Sequence, residues 1–178
     1  MTTKPYAILD RDGTIIEDVH YLRRPDQVAF IPGAVEALAK LTAHGYGIII
    51  ITNQSGVGRG FFAEDEVEKV HEHLRQLLRA NDIEVEGIYY CPHAPEDDCS
   101  CRKPRDGLVR QAAGDLDFSP ENCVVIGDKP CDMELGKSLG ARTVMVMTGP
   151  GRALRQEGEA YCDHVVDNIL EAVELLLG

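Results

Sequence analysis

Two patterns of apolar residues alternate along the chain. Short uninterrupted aliphatic runs predict buried strands at 6–9, 46–51, 87–90, 123–126, 143–147 and 164–166. Apolar residues at helical spacing predict a helix opened by Pro32–Gly33 and closed by Gly45, and further helices at 64–80, 105–116, 131–139 and 168–177. Because strand and helix alternate and the strands are apolar on both faces, we expect an α/β fold: a doubly wound, mainly parallel sheet.

Polar side chains follow three of these predicted strands. Asp10 and Asp12 come after the first run, Thr52 ends the second, and Asp128 follows the run at 123–126. Ligands of such a sheet bind beyond the carboxyl ends of its strands. The carboxylates of Asp10 and Asp12 point the same way in an extended chain, and a cation such as Mg²⁺ would offset their repulsion. A neutralised carboxylate can serve as a nucleophile and its neighbour as acid or base, although an ordinary acidic turn has the same pattern.

Length and charge narrow the classes of partner. The chain has 178 residues and a net charge of −12, which predicts one domain over 1–178 and argues against nucleic acid as a partner. No run reaches the ~20 apolar residues of a membrane span, and the first residues lack the apolar core of a signal peptide. We therefore expect a cytoplasmic monomer that contacts no membrane. A phosphorylated substrate stays compatible, because Arg102, Lys103 and Lys129 stand beside the candidate residues.

A second cluster has the residue types of a zinc site. The spacing C-x-H-x5-C-x-C suits a tetrahedral structural zinc. Its ligands would be Cys91, His93, Cys99 and Cys101. The alternatives are disulfides, which a reducing cytosol disfavours, a loop histidine, or inert thiols. Zinc would order a short polar loop that has no apolar core of its own, and would position the two basic residues that follow it. The other cysteines are expected to be ordinary core or helix residues: Cys123, Cys131 and Cys162.

Four motifs in chain order resemble those of the haloacid dehalogenase superfamily, mostly phosphatases with an aspartate nucleophile. They are D-R-D-G-T at 10–14, Thr52 at a strand end, Lys103 in C-R-K-P, and G-D-K-P-C-D at 127–132. The resemblance runs from Ile8 to about Gly149 and implies a Rossmann-like core and phosphoryl transfer with Mg²⁺. The intervals between motifs are too short for the cap domain of many members. We therefore expect an open site bordered by loops 15–31, 53–62 and 91–104.

The resemblance also implies a role for each motif residue. Asp10 would attack phosphorus and form an aspartyl-phosphate, while Asp12 would protonate the leaving alcohol and later activate water. Thr52 would hydrogen-bond a phosphoryl oxygen. Arg102 would add a forked donor to the phosphoryl group, and Lys103 would stabilise the charge on the intermediate.

The same resemblance implies the metal ligands. Mg²⁺ would be held by the carboxylates of Asp10 and Asp128 and by the backbone carbonyl of Asp12. Asp132 would either bind the metal through water or merely start a helix.

Two capless zinc-loop families within the superfamily are most similar: heptose-bisphosphate phosphatases of lipopolysaccharide biosynthesis and histidinol-phosphate phosphatases. T-N-Q-S-G-x-x-R-G at 52–60 and G-I-Y-Y-C-P-H at 87–93 are typical of the first family, whereas the second usually has Asp in place of Ser55. We therefore expect a phosphorylated sugar as the substrate, with histidinol phosphate as the alternative. The implied contacts are Asp10, Arg11, Asp12, Asp18, Val19, His20, Tyr21, Thr52, Asn53, Gln54, Ser55, Arg59, Arg102, Lys103 and Lys129.

Three points stay open at this level. Arg59 either reaches a second phosphate or is a surface charge. The chain could be a zinc-organised phosphate-binding module without turnover, although binding alone needs no general acid. A phosphotransferase that passes phosphate to an alcohol would use the same residues.

Overall fold

The computed structural model describes residues 4–178. Its six strands form one sheet, parallel throughout, in the order β3-β2-β1-β4-β5-β6. The strands are β1 (Tyr6–Leu9), β2 (Gly47–Asn53), β3 (Gly87–Cys91), β4 (Val124–Gly127), β5 (Arg142–Val146) and β6 (His164–Val166). Each predicted strand is present with ends shifted by at most two residues, so the predicted doubly wound parallel sheet is confirmed.

Seven α-helices of the described residues connect or cover the strands. They are α1 (Ala34–Ala43), α2 (Ser55–Gly58), α3 (Glu64–Arg79), α4 (Gly107–Leu116), α5 (Pro130–Leu139), α6 (Gly151–Gly158) and α7 (Ile169–Leu177). Single 3-10 turns lie at Pro25–Gln27, Pro95–Asp97 and Pro120–Asn122. The sequence did not predict α2 or α6. The first is a short glycine-containing segment, and the second is mostly polar, so neither shows a clear apolar stripe.

The helices form two layers, one on each face of the sheet. In β1, Ala7 and Leu9 pack with α1, α3 and α7, whereas Tyr6 and Ile8 pack with α4 and α5. Successive side chains of a strand point to opposite faces, so the central strands need apolar residues at every position to fill two cores. This requirement explains why their sequences are continuous aliphatic runs.

The strand order brings three strand ends together at the middle of the sheet. Leu9 at the end of β1 is paired with Ile50 of β2 on one side and Ile126 of β4 on the other. The backbone N–H of Asp10 then donates to the carbonyl of Ile126 at 3.0 Å. From β1 the sheet continues through β2 and β3 on one side and through β4, β5 and β6 on the other. This arrangement leaves a crevice beyond the carboxyl ends of the central strands.

No further sheet is inserted between the central strands in the described part of the chain. One helix, α1, separates β1 from β2, and α2 and α3 separate β2 from β3. The expected absence of a cap domain therefore agrees with the structure over residues 4–178. Within these residues no helix is both long enough and apolar enough to cross a membrane.

The packing of α1 against the sheet and α7 generates a first prediction. Leu38 of α1 is fully buried, whereas Leu175 of α7 is 45% exposed. Leu38→Ala leaves a cavity between layers and should lower the free energy of unfolding by about 2–5 kcal/mol. Leu175→Ala is the matched control and should change it by less than about 0.5 kcal/mol. Urea unfolding of both variants checks this, and equal losses would contradict the assignment of the core.

Candidate active site

A buried ion network lies where β1 and β4 end. The ammonium of Lys103 is 2.8 Å from Oδ1 of Asp10 and 2.6 Å from Oδ1 of Asp132, and it donates to the carbonyl of Ile51 at 2.7 Å. Lys103 and Asp10 are each 5% exposed and Asp132 is 1% exposed. An ammonium has three donors, and these three acceptors use all of them. The charge of Lys103 therefore has one fixed position.

Asn53 holds the backbone of Lys103 in register with the end of β2. The N–H of Lys103 donates to Oδ1 of Asn53 at 3.0 Å, and Nδ2 of Asn53 donates to the carbonyl of Lys103 at 3.3 Å. This reciprocal pair connects the loop after the cysteine cluster to a central strand. Asn53, predicted only as a substrate contact, thus also positions Lys103.

The carboxylate of Asp128 is buried and incompletely bonded. Its Oδ1 accepts from the hydroxyl of Thr14 at 3.3 Å, but its buried Oδ2 has no hydrogen-bond partner among the described residues. A buried carboxylate oxygen without a partner is costly unless a cation completes it. One oxygen each from Asp10, Asp128 and Asp132 lies within 4.8 Å of the others. This donor set suits a hard divalent cation.

The pKa values of Asp10 and Asp128 are shifted in opposite directions. Burial opposes ionisation of Asp10, but the ammonium groups of Lys103 and Lys129 outweigh it and hold the pKa of Asp10 well below its usual range. Burial, followed by the charge of Asp10, raises the pKa of Asp128 to about 9. Asp10 is therefore an ionised carboxylate, while a cation that bound Asp128 at neutral pH would displace a proton.

Lys129 is the central cation of the cleft. Its Nζ lies 3.7 Å from Oδ2 of Asp10, 3.7 Å from Oδ2 of Asp18 and 3.6 Å from Oδ2 of Asp128. It also donates to the backbone carbonyl of Asp12 at 3.3 Å. Burial alone would lower the pKa of Lys129, but these carboxylates raise it, so the side chain stays charged.

The carboxylate of Asp12 is held at the side of the cleft by two donors. The guanidinium of Arg11 binds it in a bidentate manner: Nε donates to Oδ2 at 2.9 Å and Nη2 donates to Oδ1 at 3.0 Å. Nε2 of Gln54 donates to Oδ2 of Asp12 at 3.0 Å and to Oγ1 of Thr52 at 2.8 Å. Because the Thr52 hydroxyl accepts this bond, its own hydrogen can be donated into the cleft.

Asp132 has two structural contacts, one for each carboxylate oxygen. Oδ2 accepts the backbone N–H of Lys129 at 3.1 Å at the start of α5, and Oδ1 pairs with Lys103. The helix-start alternative for Asp132 therefore agrees with the structure. Its contact with Lys103 was not predicted.

These side chains surround a cleft of about 200 Å³. The predicted residues that line it are Asp10, Asp12, Asp18, His20, Tyr21, Thr52, Asn53, Gln54, Ser55, Arg102, Lys103 and Lys129. Three other predicted substrate contacts do not line it. The guanidinium of Arg11 is buried on the side of α3, Val19 is 42% exposed, and Arg59 lies 3.5 Å from Glu96 at the surface. Cys131 lines the cleft although the sequence indicated only an ordinary helix residue.

The cysteine cluster is compact and follows β3. Sγ of Cys91 is 3.1 Å from Sγ of Cys101 and 3.5 Å from Sγ of Cys99, and Nδ1 of His93 is 3.2 Å from Sγ of Cys101. A tetrahedral zinc with bonds of about 2.0–2.3 Å separates its ligands by roughly 3.3–3.8 Å, so the donors are close to that arrangement. All six cysteines are free thiols.

The three thiols of this cluster differ in pKa. Burial would raise the pKa of Cys99, but hydrogen bonds from Cys101 and Cys91 lower it to about 6, whereas burial raises the pKa of Cys91 and of Cys101. Arg105 closes the loop by donating to the carbonyls of Asp98 at 2.9 Å and Cys99 at 2.6 Å. The cluster could therefore bind zinc through thiolate and imidazole ligands.

Sequence reasoning missed His71, a buried residue on α3. It lies on the buried face of α3 with Val67, Val70, Leu74 and Leu78, and its Nε2 is 3.0 Å from Nη1 of Arg11. A polar residue at a core position of an amphipathic helix is the signal that could have identified it.

Comparisons with known proteins agree with this geometry. Residues 100–172 match the family model of HAD-hydrolase-like proteins. The chain is 38% identical over 175 residues to a D-glycero-beta-D-manno-heptose-1,7-bisphosphate 7-phosphatase of Haemophilus influenzae, with 94% of each chain covered. A protein of the same name from Pasteurella multocida is 38% identical over 182 residues, with 98% of each chain covered. The chain belongs to the haloacid dehalogenase-like phosphatase family.

A solved structure supports this membership. The D,D-heptose 1,7-bisphosphate phosphatase from B. bronchiseptica, solved in complex with magnesium and phosphate, matches with a TM-score of 0.88 and 31% identity over 97% of each chain. The family resemblance inferred from the four motifs is therefore confirmed. The relative's complex contains magnesium, the ion that the four motifs predict for this chain.

The packing around Asp128 generates a second prediction. Gly13 has φ +86°, and a Cβ there would overlap the Asp128 carboxylate, whereas Gly45 has φ +79° with nothing within 4 Å. Both alanine variants incur the strain of a positive φ, about 1–2 kcal/mol. Only Gly13→Ala should also displace Asp128 and so lose stabilisation by added Mg²⁺.

Urea unfolding with and without Mg²⁺ measures both effects. We expect wild type and Gly45→Ala to gain stability with Mg²⁺ and Gly13→Ala to gain little. An equal gain in the two variants would show that a cation does not need Asp128.

Proposed function

We propose that this phosphatase hydrolyses the 7-phosphate of D-glycero-D-manno-heptose 1,7-bisphosphate, in the biosynthesis of nucleotide-activated heptose for lipopolysaccharide. The observation that carries the chemistry is the ionised Asp10, paired with buried Lys103, next to the unbonded oxygen of Asp128. The names of the relatives support the choice of substrate.

The donor set of the cleft fits Mg²⁺. We assign its ligands to the carboxylates of Asp10 and Asp128 and, following the family resemblance, to the carbonyl of Asp12. Each carboxylate oxygen of Asp132 already accepts a hydrogen bond, whereas Oδ2 of Asp128 accepts none from the described residues. The bound ion would neutralise phosphoryl charge and orient the phosphoryl group.

In the first step, Asp10 attacks phosphorus and the bond from phosphorus to the substrate oxygen breaks. Asp12 gives its proton to the leaving alcohol, so the products are the alcohol, an aspartyl-phosphate on Asp10 and an ionised Asp12. Lys103 already contacts Oδ1 of Asp10, and it therefore places positive charge beside the intermediate. Thr52 supplies a hydroxyl donor from the end of β2.

In the second step, Asp12 takes a proton from water, and the water oxygen attacks phosphorus. The bond between phosphorus and Asp10 breaks, which releases inorganic phosphate and restores both side chains to their starting protonation states. The Arg11 fork and Gln54 hold the Asp12 carboxylate in place for both proton transfers. Arg102 and Lys129 line the cleft and provide charge for phosphoryl oxygens.

The polar lining of the cleft favours a hydroxylated phosphorylated sugar over a cationic amine. Ser55 and Asn53 offer neutral hydrogen-bond groups, and Arg102 and Lys129 are cations. The carboxylate of Asp18 faces Lys129 at 3.7 Å, so it has a positive partner without an amine substrate. Histidinol phosphate stays the alternative substrate. A zinc-organised phosphate-binding module without turnover is the alternative from another class.

The remaining assignments belong to the same proposal. We assign structural zinc to Cys91, His93, Cys99 and Cys101. The single sheet with its two helix layers supports one domain over the chain. Free thiols suit a reducing cytoplasm, and we propose a monomer as the active form.

The substrate assignment is tested by phosphate release from heptose 1,7-bisphosphate and histidinol phosphate, each with Mg²⁺ and with EDTA. We expect a strong preference for the bisphosphate and loss of activity with EDTA. Preference for histidinol phosphate would overturn the substrate and keep the mechanism, while activity on neither would favour the binding module.

The nucleophile assignment generates a third prediction. Asp10→Asn removes the attacking carboxylate and should lower kcat by at least about 10³-fold, while zinc content stays unchanged. Asp26→Asn, at an exposed carboxylate paired with Arg24, is the control and should keep full activity. Mass spectrometry of the trapped phospho-enzyme provides a direct readout. A variant that still turns over appreciably would remove Asp10 from this role.

The zinc assignment generates a fourth prediction. Cys99→Ser removes one thiolate ligand and should lower zinc content and melting temperature, with activity lost indirectly through Arg102 and Lys103. Cys162→Ser changes a cysteine outside the cluster and should leave the zinc content unchanged. Elemental analysis of purified protein measures the metal, and equal zinc in both variants would refute the site.

A further inference from the structure

Arg11 lies between the two aspartates of the first motif but faces away from the cleft. Its side chain is 1% exposed, and three of its nitrogens have named partners. Nε and Nη2 bind the two oxygens of Asp12, and Nη1 lies 3.0 Å from Nε2 of His71. A guanidinium is always charged and only donates, so a buried one keeps its position through its acceptors.

His71 supplies the acceptor that Asp12 does not. The Nη1 group of Arg11 must donate, so Nε2 of His71 accepts and the ring proton resides on Nδ1. Burial and the charge of Arg11 lower the pKa of His71 to about 3, in agreement with a neutral ring. The imidazole is 1% exposed and makes an edge contact with the ring of Tyr90 at 5.4 Å. The hydroxyl of Tyr90 in turn donates to Glu64 of α3 at 2.9 Å.

The contact connects a helix of the apolar core to the acid–base group of the cleft. Bidentate binding by a guanidinium fixes both the position and the plane of a carboxylate. His71 can influence the orientation of Asp12 through Arg11 only if the Arg11 guanidinium cannot rotate. Its third contact joins Nη1, the nitrogen that does not bind Asp12, to Nε2 of His71 and so restrains that rotation.

We propose that His71 is a positioning residue for catalysis: by accepting from Nη1 of Arg11, it locks the guanidinium that orients Asp12 for proton transfer. The inference rests on the proposed function, since it requires Asp12 to protonate the leaving alcohol. His71 does not line the cleft. It acts through Arg11.

The proposal predicts a dependence on the leaving group. A sugar alkoxide is strongly basic and needs the proton of Asp12, whereas p-nitrophenolate is a good leaving group without it. The ratio kcat/KM includes the steps up to departure of the leaving group. A loss of folded protein lowers kcat/KM for both substrates equally, whereas misorientation of Asp12 lowers it mainly for the sugar phosphate.

The test compares His71→Leu, His71→Gln and His73→Leu with wild type on heptose 1,7-bisphosphate and p-nitrophenyl phosphate. His71→Leu removes the acceptor and should lower kcat/KM for the sugar phosphate by about tenfold or more, a part of the 10²–10⁴-fold typical of acid–base catalysis. Its kcat/KM for the aryl phosphate should fall by less than about twofold, since that leaving group hardly needs the proton. His71→Gln, whose Oε1 can accept from Arg11, should recover most of the loss. His73→Leu alters a histidine of the same helix and should match wild type.

Equal losses on the two substrates in His71→Leu, or no rescue by glutamine, would overturn the proposal. A second readout does not depend on activity. The Nε–Hε NMR signal of Arg11 should be sharp and slow to exchange in wild type and His71→Gln, and broadened in His71→Leu. If wild type hydrolyses no phosphate monoester, the proposed function fails. The Arg11 signal then still decides whether His71 holds the guanidinium, and an unchanged signal in His71→Leu would refute that.

Discussion

The candidate site depends on the burial of one ammonium group. Lys103 is enclosed between Asp10 and Asp132, and it is the contact that lets two carboxylates stay close together at the edge of an apolar sheet. Burying an unpaired charge is expensive, and breaking a buried pair leaves such a charge behind. Oδ2 of Asp128 has no hydrogen-bond partner within residues 4–178, and burial and the nearby ionised Asp10 raise the pKa of Asp128. A divalent cation would let Asp128 ionise beside Asp10.

The position of Lys103 depends on contacts that its backbone makes away from the reacting groups. Its backbone is held by Asn53, and the segment that precedes it is the cysteine and histidine loop. That loop is joined to the segment after β2 by backbone hydrogen bonds: the N–H of Gln54 donates to the carbonyl of Cys91 at 2.8 Å, and the N–H of Gly58 donates to that of Pro92 at 2.7 Å. A metal in the loop would stabilise a short polar segment that has little apolar surface to bury. Its effect on catalysis would then be indirect, through the backbone that presents Arg102 and Lys103.

The two aspartates of the first motif have different surroundings although they are two residues apart. Asp10 faces two ammonium groups, which keep it ionised. Asp12 is held by Arg11 and Gln54 at the side of the same cleft. A nucleophile must be charged and desolvated, whereas an acid–base group must be oriented and able to exchange protons. Arg11 and His71 contribute to the orientation of Asp12 from the side of α3, although neither residue lines the cleft.

The sequence alone determined the sheet and the positions of the motif residues. Aliphatic runs filling both faces of each central strand predicted the parallel sheet, and the carboxyl ends of those strands identified Asp10, Thr52 and Asp128. The spacing of the candidate zinc ligands at 91–101 was also visible in the sequence, because all four lie in one short segment. The tertiary structure decided which helix faces the motif: His71 lies sixty positions from Arg11, and no periodicity connects them. It also decided that Asn53 holds Lys103 and that Arg59 pairs with Glu96, because these contacts join segments distant in sequence. The helices α2 and α6 were not predicted because neither segment has a clear apolar stripe.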